Sequence, residues 1–264
     1  MDTVALSLEQ SIRNYYLKYY RDTCSIKDFE PLVAVRLKEE EKELSRINEL
    51  QTALGFIIEK GQRHFILGTG TGGLAVVLKN QFDCEVFGAE PDRDALEIIK
   101  AKCRAHNIPT ENFTADVGEN LSFPSSSFDF IHVYSVIEHV QDVGKTLGEL
   151  IRVLKPGGKI YLHCPNFRFP WEAHYKIPFP TFLPRFMGKL YLRARKKNPD
   201  FVDTLNFLSQ RSLQKHLFQF SNINFLYFYR GKRRASGKAL ALWNFFIDRL
   251  GIYPYQEVLI TKTS

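Results

Sequence analysis

Phe65-Ile66-Leu67-Gly68-Thr69-Gly70-Thr71-Gly72-Gly73 decides the fold of this chain. A short apolar run enters a turn crowded with glycine and leaves as an amphipathic stretch. That order reads as strand, tight turn and helix, with the amides of the helix N-terminus facing whatever the turn holds. The letters also satisfy GxGxxG at Gly68, Gly70 and Gly73, so the loop alone does not separate a dinucleotide from another nucleotide-like cofactor.

Outward from this loop, short apolar runs alternate with amphipathic stretches, which is the pattern of βαβ units around a parallel sheet. Strands are expected at 64–67, 85–89, 112–114, 128–134 and 159–163. Helices are expected between them at 73–81, 92–107 and 143–154, the last stopped by Lys155-Pro156-Gly157-Gly158. Upstream, Ser7 to Leu54 has helical spacing, opening at a Ser7-Leu8-Glu9-Gln10 capping box and including the charged stretch Lys38 to Glu43. Residues 1–60 therefore form an N-terminal helical region packed on a core domain of 61–264. From 165 to 208 the pattern dissolves into proline, aromatic and basic residues, a length that in a compact domain suits a functional lid. A helix resumes near Ser209, strands follow at 223–229 and 257–262, and between them lie a basic tract (230–238) and an aromatic amphipathic helix (239–250).

Apolar residues at 44% and charged residues at 25% exclude disorder and fibrous repeats. No run reaches the roughly 18 residues of a membrane span and the N-terminus lacks a signal-peptide pattern, so a cytoplasmic protein is expected. The cysteines form no CxxC pair, which argues against a zinc or disulfide framework. The net charge of +7 is uneven: residues 165–238 hold 15 Lys or Arg against three acids, which leaves the remainder net acidic. Such a field attracts anionic substrates, nucleic acid or an anionic membrane surface, and the inner face of a membrane is a place such a protein could rest.

The second strand ends in Gly88-Ala89-Glu90-Pro91-Asp92. This places Glu90 at the carboxyl edge of the sheet, where a carboxylate can accept both ribose hydroxyls of an adenosine-bearing ligand, while Asp92 reads as a helix-opening acid. Thr114-Ala115-Asp116-Val117, Phe128-Asp129-Phe130-Ile131, Tyr134-Ser135-Val136-Ile137-Glu138-His139-Val140 and Arg152 to Ile160 follow in order. From about residue 63 to 166 these segments resemble the motifs of class I, Rossmann-like, S-adenosylmethionine-dependent methyltransferases. The resemblance implies an α/β fold with a seven-stranded, mostly parallel sheet, an antiparallel C-terminal hairpin and a lid insertion after strand 5. It implies Gly68, Thr69, Gly70 and Gly72 along the methionine part of the cofactor, Glu90 and Pro91 at the ribose, Asp116 and Val117 at the adenine, and Tyr134 and Ser135 beneath the sulfonium. One position departs from the pattern: where the family carries an acid two residues before the first loop glycine, this chain has Ile66, so the amino group must find another partner.

Methyl transfer to a hydroxyl needs a base, and the candidates are His174, in the lid, and His139. Glu138-His139 resembles the pair that serves a metal in quinone-biosynthesis O-methyltransferases, but Ser135 stands where a further acid is expected, and no metal site is expected. The sequence after the fourth strand lacks the Asn/Asp-Pro-Pro-aromatic signature of enzymes that methylate nucleic-acid amines, so nucleic acid is not the expected acceptor. The expected activity is O-methylation of a small-molecule, glycan or lipid-linked acceptor of anionic character. The alternative is an inactive cofactor-binding module docking on RNA or membrane through its basic half.

Overall fold

The structure, a computed structural model, describes residues 3–179, 181, 183–229 and 252–263. The basic tract and amphipathic helix expected at 230–250 lie outside the described residues.

Three helices come first: α1 (Thr3–Lys18), α2 (Glu30–Leu37) and α3 (Glu39–Leu54). Ser7 does not cap α1, because the helix starts earlier and the Ser7 carbonyl accepts from the Ser11 hydroxyl within it. The alternating part then runs β1 (Arg63–Leu67), α4 (Gly73–Phe82), β2 (Glu85–Ala89), α5 (Arg93–Ala105), β3 (Phe113–Thr114), β4 (Phe128–Tyr134), α6 (Val143–Val153) and β5 (Leu154–Pro165). Asp92 caps α5 by accepting from the amides of Asp94 and Ala95, as its position before the helix led us to expect. The Lys155 to Gly158 stretch lies within the start of β5, where pairing with β4 shifts register between Phe128 and Phe130.

The lid is more ordered than its composition suggests. It contains a short hairpin, β6 (Trp171–Glu172) with β7 (Ile177–Pro178), and α7 (Arg185–Ala194). Then come α8 (Gln210–Leu217), capped by Ser209, and the closing strands β8 (Ile223–Phe228) and β9 (Tyr255–Lys262).

The described strands form one seven-stranded sheet in the order β3-β2-β1-β4-β5-β9-β8, parallel through β5, with β9 antiparallel to both β5 and β8. Strand order reverses between β1 and its two neighbours, so the crevice where ligands bind in such sheets opens above the carboxyl end of β1. Alternation along each strand builds two cores. Phe65, Leu67, Ile131 and Val133 pack with Leu147 and Leu150 of α6 and Leu213 and Leu217 of α8 on one face. Ile66 and Val86 pack with Ile47 of α3, Leu74 of α4 and Ile99 of α5 on the other. The helices α1 and α2 close over α5 through Tyr16, Tyr20, Val33 and Ile98.

The lid has its own small core of Tyr175, Ile177, Phe179, Leu192 and Val202. It is tied to the N-terminal region, because the Lys197 ammonium donates to the Ser25 carbonyl (2.7 Å) and the Asn198 amide to the Ser25 hydroxyl (3.0 Å). Lid and N-terminal helices thus form one continuous cover.

Candidate active site

Gly68, Gly70 and Gly72 all take positive φ, at 70°, 54° and 90°, a region that costs other residues about 1–2 kcal/mol. Two of them are also sterically required. A Cβ on Gly68 would overlap the side chain of Val136, which folds back from the end of β4, and one on Gly72 would meet Ile99 Cγ1 at 2.7 Å. The loop therefore lies pressed between the exit of β4 and α5.

Glu90 is buried at the end of β2, and both carboxylate oxygens already accept backbone amides: Oε2 from Gly70 (2.8 Å) and Oε1 from Asp92 (3.1 Å). Burial raises its pKa against the lowering effect of these two bonds. Each oxygen keeps a lone pair, enough for two hydroxyls. Pro91 beside it is exposed. Thr69 is buried in the loop, whereas Val117 is exposed after β3. Asp116 uses Oδ2 to accept the Ser122 amide (2.8 Å) and hydroxyl (2.7 Å), which fixes the loop after β3. Tyr134 closes β4 and stacks under the Arg46 guanidinium at 3.9 Å. Ser135 takes φ 53°, with its amide donating to the His163 carbonyl (2.8 Å), and its side chain is exposed at the sheet edge.

The N-terminal helices bring residues to this loop that sequence reasoning missed. Glu39 Oε2 accepts from the Thr71 hydroxyl (2.7 Å), which also meets the Tyr16 hydroxyl (3.0 Å), and the Lys102 ammonium bridges Glu39 and Glu40. Glu39 and Lys102 are both about 5% exposed, and a Cβ on Gly73 would lie 2.8 Å from Glu39 Cδ. A carboxylate thus already sits at the N-terminus of α4, the place a dinucleotide's pyrophosphate would take, and two anions cannot share it. The spacing of Glu39, Glu43, Ile47 and Leu50 along α3 was the available signal: two acids share a face with the apolar residues that bury it.

A second group gathers beyond the end of β4. Glu138, in the turn after Ser135, is fully buried, and neither carboxylate oxygen has a hydrogen-bond partner from another described residue. Burial raises its pKa to about 7. His139 beside it opens to solvent at one edge, and the protein around it, then His174, lower its pKa. His174, from the lid hairpin, packs edge-on against His139 with ring centroids 5.1 Å apart. Its Nδ1 lies 2.6 Å from Oε1 of the fully buried Glu172, whose Oε2 accepts the Tyr175 amide (2.7 Å). Burial opposes charge on His174, but its bond to Glu172 and the charges of Glu172 and Glu138 outweigh that and raise its pKa. Asn206, at the far end of the lid, pins the turn by donating from its amide to the Glu138 carbonyl (2.7 Å) and from Nδ2 to the Val140 carbonyl (2.6 Å). The two histidines singled out in the sequence are therefore brought together. Glu172 and Asn206 were not legible, because only the lid fold gives them their partners.

Residues 66–162 match the family described as "Methyltransferase domain". Residues 66–162 are a class I methyltransferase domain. Among curated relatives, a demethylmenaquinone methyltransferase of Thermus thermophilus is 33% identical over 142 residues, covering 52% of this chain and 64% of its own length. A norajmaline N-methyltransferase of Rauvolfia serpentina is 31% identical over 152 residues, covering 56% of this chain and 52% of its own length. The matches thus span less than two thirds of these relatives. In fold, the chain is similar to a Haemonchus contortus phosphoethanolamine N-methyltransferase 2 solved with S-adenosyl-L-methionine, with a TM-score of 0.55 at 15% identity, covering 96% of this chain and 60% of that one.

Within this methyltransferase domain the departure at Ile66 is structural. Its side chain is 4% exposed in the apolar cluster with Ile47, Leu74 and Leu96, a place where an acid would be buried among hydrocarbon. The acids that do approach that face come from α3, with Glu39 held by Lys102 and Thr71, and Glu43 paired with Arg46 at 2.8 Å.

Proposed function

We propose that this chain transfers the methyl group of S-adenosylmethionine to a hydroxyl oxygen of a small-molecule, glycan or lipid-linked acceptor. In this reading the cofactor lies over Gly68, Thr69, Gly70 and Gly72 with its ribose on Glu90 beside Pro91, its adenine by Asp116 and Val117, and its sulfonium over Tyr134 and Ser135. The observation that carries the choice of acceptor is the convergence of Glu138, His139 and His174 just past Ser135. A neutral amine attacks the methyl carbon without help, whereas a hydroxyl must first give up a proton, and three proton-handling groups at one spot suit the second case. His174 is the base in this reading, since Glu172 engages its Nδ1 and leaves Nε2 to take a proton. In the step itself the C–O bond forms as the C–S bond breaks, its electron pair staying on sulfur, and the hydroxyl proton passes to the imidazole.

The lid adds a surface suited to a lipid-attached acceptor. Phe186, Met187 and Leu190 of α7 are exposed, and Arg193, Arg195 and Lys196 are exposed just beyond them. Arg185 and Lys189 are instead engaged within the lid, Arg185 donating to the carbonyls of 202, 203 and 205 and Lys189 pairing with Asp200 and Asp203.

Calorimetric titration of the folded chain with S-adenosylmethionine and S-adenosylhomocysteine tests the cofactor, and absence of binding to either sinks the proposal. For the acceptor, His174→Asn is expected to lower kcat by about 100-fold or more while leaving cofactor affinity in place. An unchanged kcat against a hydroxyl acceptor would remove His174 from the base role.

A further inference from the structure

We infer that Glu138, His139 and His174 form a binding site for a divalent first-row transition ion, with zinc the leading occupant. Potential ligand atoms of these three residues, one from each, all lie within 4.8 Å of one another, close enough for one ion to draw them together. The inference rests on the placement of the cluster beside the cofactor crevice for its role in catalysis, but not for the binding itself.

Three features point to a cation. Glu138 is a fully buried carboxylate without a hydrogen bond from another described residue, an arrangement that is costly unless a cation or a proton completes it. His174 is held as metal-bound imidazoles commonly are: one ring nitrogen engages a carboxylate, here Glu172, which fixes the ring and leaves the other nitrogen to coordinate. His139 is exposed to solvent, so an ion can reach the cluster, and a tetrahedral ion held by three such ligands keeps a fourth position for water or an acceptor oxygen. Two imidazoles and one carboxylate suit zinc and its transition-metal neighbours, whereas magnesium and calcium prefer oxygen alone.

This reverses the expectation drawn from the sequence, which found no further acid at Ser135. The third ligand stands 35 residues downstream of His139, and the lid hairpin carries it back. With an ion bound, His174 serves as a ligand rather than as the base. An acceptor hydroxyl in the fourth position is then acidified by the ion and loses its proton to solvent past His139, before its oxygen takes the methyl carbon from sulfur.

The test is titration of the chelator-treated full chain with zinc chloride, read by calorimetry and by metal content after gel filtration. One ion per chain is expected, with affinity falling by at least about tenfold in Glu138→Gln, His139→Ala and His174→Ala, and by about 10- to 100-fold in the orienting variant Glu172→Gln. Circular dichroism and the cofactor titration on each variant separate site loss from misfolding, and His139→Ala, altered at an open edge, is the variant whose fold is least at risk. No stoichiometric zinc, or zinc bound equally by His139→Ala and His174→Ala, overturns the inference. Cofactor binding without zinc would overturn it and leave the proposed function standing. Zinc binding without cofactor would uphold it and remove that function.

Discussion

Glycines held at positive φ differ in what they would tolerate, and the difference is open to measurement. At Gly157, φ is 77° but nothing lies within 4 Å of an added Cβ, so Gly157→Ala meets backbone strain alone, about 1–2 kcal/mol. At Gly68 the same strain is joined by overlap with Val136, the residue that shapes the exit from β4. Gly68→Ala is therefore expected to cost clearly more in urea denaturation than Gly157→Ala and to weaken S-adenosylmethionine binding, which Gly157→Ala should leave alone. Equal losses in the two variants would show that the contact with Val136 relaxes at little cost.

At the scale of elements, the pairing of β1 with β4 buries two histidines. His64 Nδ1 and His132 Nε2 lie 2.9 Å apart, both side chains fully buried, so one ring donates and the other accepts. Burial lowers the His64 pKa to about 4 and drives His132 well below its ordinary value. In the unfolded chain both would titrate near about 6.5. As pH falls from about 6.5 toward 4, the unfolded state takes up protons that the folded state refuses, and stability is lost; above about pH 7 this pair contributes no slope. Each excluded proton is worth at most about 1.4 kcal/mol per pH unit. Urea midpoints measured between pH 7 and pH 4.5 should fall, and His132→Phe should flatten the slope even if it shifts the midpoint itself. A slope identical to wild type would mean that His132 takes up its proton as readily in the folded sheet as in the unfolded chain. The same alternation that hides these rings also explains Ile66, which faces α3 and has no room there for the family's acid.

Over the whole molecule, charge and cover are divided. Among the described residues no helix is long and apolar enough to cross a membrane. The lid instead presents Phe186, Met187 and Leu190 beside three exposed cations. Flotation with phosphatidylserine-containing vesicles at low salt should carry the protein, and the charge reversal Arg193→Glu/Arg195→Glu/Lys196→Glu should weaken binding by about tenfold or more, at roughly 1 kcal/mol per basic residue. Binding that ignores both salt and these substitutions would move the contact elsewhere. The N-terminal helices act at the same scale, since the buried Lys102 with Glu39 and Glu40 joins α5 to α3 directly above the glycine loop. Removing one partner from such a pair strands a buried charge, so α3 is tied firmly to α5 and, through Thr71, to the glycine loop.

Local patterns settled the central sheet. Apolar runs broken by glycine or proline specify strand and turn through near neighbours, so β1, β4 and α6 fall within a residue or so of their expected bounds, and the glycine loop, Glu90 and Asp92 stand where spacing put them. The start of α1 was misplaced because Ser7 satisfies a cap only if the preceding residues are not already helical. What depended on distant segments could not be read in this way. Glu39 was one member of the charged stretch Lys38 to Glu43 with nothing to single it out before α3 lay across the loop, and His174, a candidate base in the sequence, meets His139 and Glu172 only because the lid returns it. Secondary structure follows from neighbours a few residues apart, whereas a buried charge or a ligand set is defined by partners that only packing supplies.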